Sequence, residues 1–226
     1  MHMEPGVVTG AQSLLGVATA TGALGYAGRR ALEALRIENP AALALRSVIA
    51  TGLVLTFFEV LPHHPVGVSE VHLILGSTLF LLFGLVPTAI GLALGLLTQG
   101  LLFAPFDLPQ YGMNVTTLLV PLFAVAALAR RIIPAGTPYV DLGYGDVLKL
   151  SVTYQGGICT WVAFWSLYGG GFGAANLQAV GVFFAAYMLV VLLEPLVDLA
   201  VLALAKAGRN TAGGPLFHRR LLQGAG

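Results

Sequence analysis

The sequence predicts an all-α integral membrane protein, on two observations: its composition and the length of its apolar runs. The 226 residues have a mean hydropathy of +0.87, 57% hydrophobic and only 9% charged residues. That balance requires a solvent that tolerates exposed apolar surface, and lipid is that solvent. The apolar runs are long and continuous, not short and alternating. A bilayer core holds no water to satisfy backbone N–H and C=O groups, so helices, not barrel strands, must cross it. A net charge of +1 provides neither a basic surface for nucleic acid nor an acidic tail for a cationic partner.

Runs of about 20 apolar residues bounded by charge, Pro or Gly fall near 11–28, 42–61, 71–86, 88–105, 114–133, 148–168 and 177–204. About seven transmembrane helices follow. Only Val86, Pro87 and Thr88 separate the third and fourth runs, and proline blocks the helical ladder, so a tight antiparallel hairpin is expected there. Arg29, Arg30, Arg36 and Arg46 flank the first connection, Arg130, Arg131 and Lys149 the fifth-to-sixth, and Lys206, Arg209, Arg219 and Arg220 the tail. With seven spans, an outside N-terminus and a cytoplasmic C-terminus put all of them on the cytoplasmic side. The chain thus reads as a single transmembrane domain over 1–226, with an N-terminal segment at 1–10 and a cytoplasmic tail at 205–226.

The opening MHMEPGVVTG has no basic stretch followed by an apolar run and a small-residue cleavage site, so the N-terminus is expected to be the one made at translation. Small residues four apart, Gly16 with Ala20, Ala18 with Gly22 and Gly91 with Gly95, are expected to let helix backbones approach closely. The polar stretch from Ala135 to Asp146 reads as a cytoplasmic loop where a partner docks. The single cysteine, Cys159, excludes an intramolecular disulfide and reads as a buried inert thiol.

Four of the five histidines, His2, His63, His64 and His72, map to the outer side, and imidazole is a common transition-metal ligand. The Met1 amine, the His2 backbone nitrogen and His2 Nδ1 form two fused chelate rings with no help from the fold. These three nearly coplanar nitrogens need a fourth to complete a square, which suits Ni(II) and Cu(II) and is poor for Zn(II). His72, at the outer mouth of the third helix, is the candidate. The competing reading is an accidental His at position 2 and a helix-end His that bonds a loop; His63 and His64 read as solvated loop residues, with metal capture the minor role. Of the carboxylates in or near the membrane, Glu59, Glu70, Asp107, Glu194 and Asp198, Glu70 and Asp107 read as solvated in outer loops. Glu194, deep in the last span, needs a partner such as Tyr154 or Gln155, for packing or for transport. Gln99, deep in the fourth span, likewise needs hydrogen bonds, for packing or for a site. No phosphate-binding GxxxxGK[ST] loop and no HExxH, CxxC or GxSxG motif is present, so any ATP must be hydrolysed by another chain.

Three segments carry a family resemblance: MHMEPG at the start, GVSEVHLILGSTLFLLFGLVPTAIGLALGLLTQGLLF from Gly67 to Phe103, and YGMNV from Tyr111 to Val115. They resemble the Met-His start, the Gly-x-Ser-x-x-His-Leu hairpin and the Gly-Ala-Asn turn of the CbiM/NikM family, the cobalt and nickel substrate-binding membrane components of energy-coupling-factor transporters. The resemblance implies that Met1 and His2 tuck into the bundle from outside and that, with His72, they hold Ni(II) or Co(II) as transported substrate. It makes Glu4, Gln99 and Asn114 candidates for the supporting shell, with no organic cofactor and no catalysis by this chain. The implied partners are a transmembrane coupling subunit and a cytoplasmic ATPase pair, in a bacterial inner membrane. Departures fall at Glu4, where the family's acidic residue is shifted, at Thr117 in place of a second turn asparagine, and at Tyr187 in place of a histidine. The rival readings are a vitamin-binding component of the same transporter class and a structural or assembly subunit that kept the fold.

Overall fold

The computed structural model describes residues 10–208 and 216–223. Helix α1 (Gly10–Ala34) is followed by α2 (Pro40–Glu59), a hairpin of β1 (His64–Val66) and β2 (Ser69–Val71), and α3 (Gly76–Phe83). Then come α4 (Leu85–Leu102), α5 (Tyr111–Ile132) behind a 3-10 turn at Pro105–Gln110, α6 (Tyr144–Gly170) and α7 (Ala174–Ala207). Short 3-10 turns at Tyr139–Asp141 and Arg219–Leu221 complete the chain. With 80% of the described residues helical, in seven α-helices and the 3-10 turns, this is the expected all-α membrane architecture. Four helical stretches, Pro40–Glu59, Leu85–Leu102, Pro105–Ile132 and Ala174–Ala207, are long and apolar enough to cross a bilayer.

Local chemistry sets the ends. Asn39 caps α2 by accepting from the Ala41 and Ala42 amides at 2.9 and 3.3 Å, with Pro40 in the first turn, where its missing N–H is harmless. Gly91 and Gly95 carry the α2–α4 contact: a Cβ at Gly91 would lie 2.7 Å from the Ala50 Cβ, and one at Gly95 2.8 Å from the Val54 Cβ. Gly16 and Gly112 do the same for α1 and α5, where a Cβ at Gly112 would sit 2.8 Å from the Gly16 carbonyl oxygen. Close backbone approach at small residues is thus realised at Gly16, Gly91 and Gly95. The Ala18 and Gly22 pair is different, since Ala18 is exposed and Gly22 has open space around it.

The third span departs from expectation. Only Gly76–Phe83 is helical, and the turn into α4 comes at Gly84, φ 85°, with Pro87 accommodated inside the first turn of α4. Residues 64–71 form the hairpin instead, and 72–75 run without regular structure into α3. Hydropathy cannot separate this path from a helix, because His72, Ile74 and Leu75 are all buried. Burial within protein is the condition under which non-helical backbone is tolerated at membrane depth.

As a half-helix, α3 has opposite charges at its ends. At the N-terminus, where Leu75 (φ 54°) offers no side-chain cap, Ser77 Oγ donates to Asp198 Oδ2 at 2.7 Å and Thr78 Oγ1 donates to Asp198 Oδ1. At the C-terminus the buried Arg46 donates from Nη1 to the Phe83 carbonyl at 3.2 Å while Nη2 pairs with Glu38. Carboxylate at the N-terminus and guanidinium at the C-terminus both complement the helix dipole.

The region beyond α7 also differs from a free tail. His218 N–H donates to the Leu82 carbonyl at 2.7 Å, and Phe217 stacks on Phe83 with ring centroids 6.2 Å apart. Arg220 donates to the Ile133 and Pro134 carbonyls at 3.2 and 3.1 Å and lies 5.1 Å above the Tyr139 ring. Within the stretch 135–146, Tyr139 and Val140 are buried while half of the residues stay exposed.

Candidate metal-capture site

The hairpin sets the position of His72. Val66 pairs with Ser69 across a two-residue turn, and Gly67 at φ 63° takes the left-handed conformation that glycine adopts without penalty. The same glycine lies against the Ala179 backbone of α7, where a side chain has no room. The Gly-x-Ser-x-x-His spacing is therefore a turn, a short strand and the residue that follows it. His72 sits just past β2 and four residues before α3, not on a helix mouth.

His72 is 2% exposed. Its Nε2 lies 2.9 Å from Glu70 Oε2, its ring stacks on His63 with centroids 5.0 Å apart, and Phe58 meets it edge-on at 5.1 Å. Burial, with the neighbouring His63 adding to it, holds the His72 pKa well below the ordinary imidazole value. The ring is therefore neutral at physiological pH, the form that ligates metals.

Around it lies a cavity of about 180 Å³ lined by Phe58, Glu59, His63, Glu70, His72, Gln99 and Asp107, with Phe103, Ala104 and Phe106 closing it. A narrow crevice shares Gln99 and Asp107 and leads on to Tyr111 and Asn114. Of the site residues expected from sequence, His72, Gln99 and Asn114 thus come together here, whereas Met1, His2 and Glu4 lie outside the described residues. The Gln99 Oε1 is buried without a hydrogen-bond partner among the described residues.

Three residues expected to be solvated in outer loops belong to this cavity. Asp107 is buried at 6% exposure, Glu70 holds the His72 ring, and His63 stacks on it while remaining exposed at its other face. The available signal was their grouping: carboxylates and imidazoles on two successive outer connections. His64 turns away, toward an apolar cleft between the hairpin and α7. Among the described residues no set of three or more His, Cys, Asp or Glu side chains is arranged to hold a metal ion.

A second polar cluster lies among α3, α6 and α7. Glu194 Oε2 accepts from Gln155 Nε2 at 2.5 Å and from Ser151 Oγ at 3.0 Å, so Gln155, not Tyr154, is its hydrogen-bonding partner. Thr117 bonds the Met113 carbonyl of its own helix at 2.8 Å, and Tyr187 is fully buried on α7. Cys159 is buried and unpaired, as expected of an inert thiol.

A family model described as "Cobalt uptake substrate-specific transmembrane region", CbiM, matches residues 2–212. A solved structure titled as a transition metal transporter shares 18% identity over 94% of this chain and 95% of its own, with a TM-score of 0.69. A second, titled as a truncated transition metal transporter, shares 18% identity over 92% of this chain and 97% of its own, with a TM-score of 0.64. At that identity the two structures establish the fold alone. No curated protein matches the chain. The family match spans nearly the whole sequence, and the chain, a multi-pass membrane component for metal uptake, belongs to the CbiM family.

Proposed function

We propose that this chain is the substrate-binding component of an energy-coupling-factor transporter, which captures Ni(II) or Co(II) at its outer face for ATP-driven uptake. The observation that carries the proposal is His72: a buried imidazole held by Glu70 at the wall of a polar cavity. A carboxylate on one ring nitrogen fixes ring orientation and raises ligand basicity. With Nε2 engaged by Glu70, Nδ1 takes the ligand role. The Met1 amine, the His2 amide nitrogen and His2 Nδ1 supply the other three corners of the square, and Glu4, Gln99 and Asn114 support it. This also accounts for the lack of a three-ligand set among the described side chains. The ligands come from the start of the chain.

Capture alone moves nothing. A transmembrane coupling subunit and a cytoplasmic ATPase pair supply the energy, and this chain, a single transmembrane domain with its N-terminus outside, catalyses nothing itself. Bound nitrogens must shed protons, so affinity rises with pH through the α-amine range, nominally about 7.7. His72 does not set that midpoint, being neutral already.

The test is the metal content of protein purified with its native N-terminus. His72→Ala, or one residue added before Met1, is expected to abolish stoichiometric Ni(II) and Co(II) binding. Glu70→Gln is expected to weaken it by about 10–100-fold. Full metal content in the extended variant would overturn the proposed chelate.

A further inference from the structure

More than five turns along α7 from the outer loop, the bundle buries two carboxylates side by side. Glu194 and Asp198, one turn apart, are both fully buried. Ser77 of α3 donates to Asp198 at 2.7 Å and lies near Glu194. No Lys, Arg or His is among the groups that act on either carboxylate. Among the described residues the fixed positive potential at the pair is that of the N-terminus of α3, equivalent to roughly half an elementary charge, against two carboxylates. Protons or a bound cation must supply the rest.

Four further oxygens point to a ligand. Glu194 Oε1, Gln155 Oε1 and the hydroxyls of Tyr154 and Tyr187 are all in fully buried side chains, and none has a hydrogen-bond partner among the described residues. They belong to one cluster. Gln155 and Ser151 bond Glu194 from α6, the phenol end of Tyr154 packs on Gly76 beside Ser77, and both tyrosine hydroxyls are within electrostatic reach of Glu194. Buried oxygens left in this state are destabilising, and a bound cation satisfies them and neutralises the carboxylates together.

We propose that Glu194, Asp198, Gln155 and the Tyr154 and Tyr187 hydroxyls form a second cation site, oxygen-lined and inside the bundle, which takes a divalent transition metal ion. It is separated from His72 by the short segment leading into Ser77, a distance of at most about 17 Å for five residues. A nitrogen-rich outer site and an oxygen-rich inner one differ in affinity in the order required for onward movement, since Ni(II) and Co(II) hold nitrogen ligands more tightly and oxygen ligands release them more readily. As a station for cargo, the site rests on the capture function proposed above; as a metal site, it does not.

The experiment is Co(II) binding by equilibrium dialysis, with visible absorption of the bound ion, on the full chain in lipid nanodiscs. Wild type is expected to bind two Co(II) with distinct spectra. His72→Ala is expected to keep one, with the weak absorption of an oxygen-ligated centre, and a paired Glu194→Gln, Asp198→Asn variant is expected to keep the other. Tyr154→Phe removes a hydroxyl that makes no hydrogen bond among the described residues, so it is expected to leave folding undisturbed and to weaken the inner site several-fold. Loss of all Co(II) in His72→Ala, or two Co(II) retained by the paired variant, overturns the proposal, as does unchanged inner affinity in Tyr154→Phe. The capture function fails separately: His72→Ala would then bind as much Co(II) as wild type, while the paired variant would still lose the inner ion.

Discussion

The two ends of α3 meet the same requirement with opposite charges, and the partners differ in what else they can do. Eight residues leave unsatisfied amides at one end and unsatisfied carbonyls at the other within about 12 Å. At the carbonyl end Arg46, anchored by Glu38 and its own Ala42 carbonyl, closes the Phe83 carbonyl, while His218 N–H takes that of Leu82. Those groups are engaged in structure. At the amide end Asp198 is held by Ser77 and Thr78, but its neighbour Glu194 keeps an oxygen with no partner among the described residues. A closed end anchors the half-helix, and an end with unfilled oxygens leaves a place for something to bind.

The strongest way to break this comparison is Arg46→Ala. Removing one member of a buried ion pair costs about 3–5 kcal/mol; because Glu38 keeps 30% exposure the expected loss is smaller, about 2–3 kcal/mol. Denaturant unfolding in mixed micelles measures it. A loss under about 0.5 kcal/mol, the range of an ordinary surface change, would show that α3 does not depend on this end.

Thr78→Val at the opposite end is expected to cost less, about 1.5 kcal/mol, the lower range for a hydrogen bond to a charged group. Ser77 still holds Asp198 in that variant. The same unfolding measurement ranks the two, and a larger effect for Thr78→Val than for Arg46→Ala would reverse the assignment of anchoring to the Arg46 end.

How far these ends were legible in the sequence depends on the separation of the partners. Helix number, the burial of Cys159, a close backbone approach at Gly91 and Gly95 and the need of Glu194 for a partner on the sixth span, Tyr154 or Gln155, all follow from composition and spacing. The Asp198 bonds to Ser77 and Thr78 span 121 and 120 positions, and nothing local in either segment announces the other. The break of the third span was hidden for a different reason: strands of three residues, His64–Val66 and Ser69–Val71, are shorter than any periodicity can report. Its one local marker was Gly67, which the resemblance preserved as a motif without giving the reason for it. At the site, His72 was legible by type and position. Asp107 was not, because burial of a loop carboxylate is a property of the tertiary cavity and not of its neighbours in sequence.

The smallest expected effect concerns the closed end and is a matter of pH. His218 packs its ring on Gly84, within 2.7 Å of where a Cβ would stand, and stacks on Tyr139 with centroids 6.5 Å apart. Burial holds its pKa below the ordinary imidazole value; Glu38 opposes this, and Arg46 and Arg220 reinforce it. A histidine with a depressed folded pKa binds fewer protons folded than unfolded, so its contribution is present above the unfolded value of about 6.5 and is lost as pH falls from there toward the folded pKa. Contact of the 216–223 segment with α3 is therefore expected to weaken on acidification, at most by about 1.4 kcal/mol per pH unit. Limited proteolysis between α7 and His218 at pH 7.5 and 5.5 reads it directly, with faster cleavage at the lower pH and a flat profile in His218→Gln. A pH-independent rate at the His218 segment would mean that its docking depends on Arg220 and Phe217 alone.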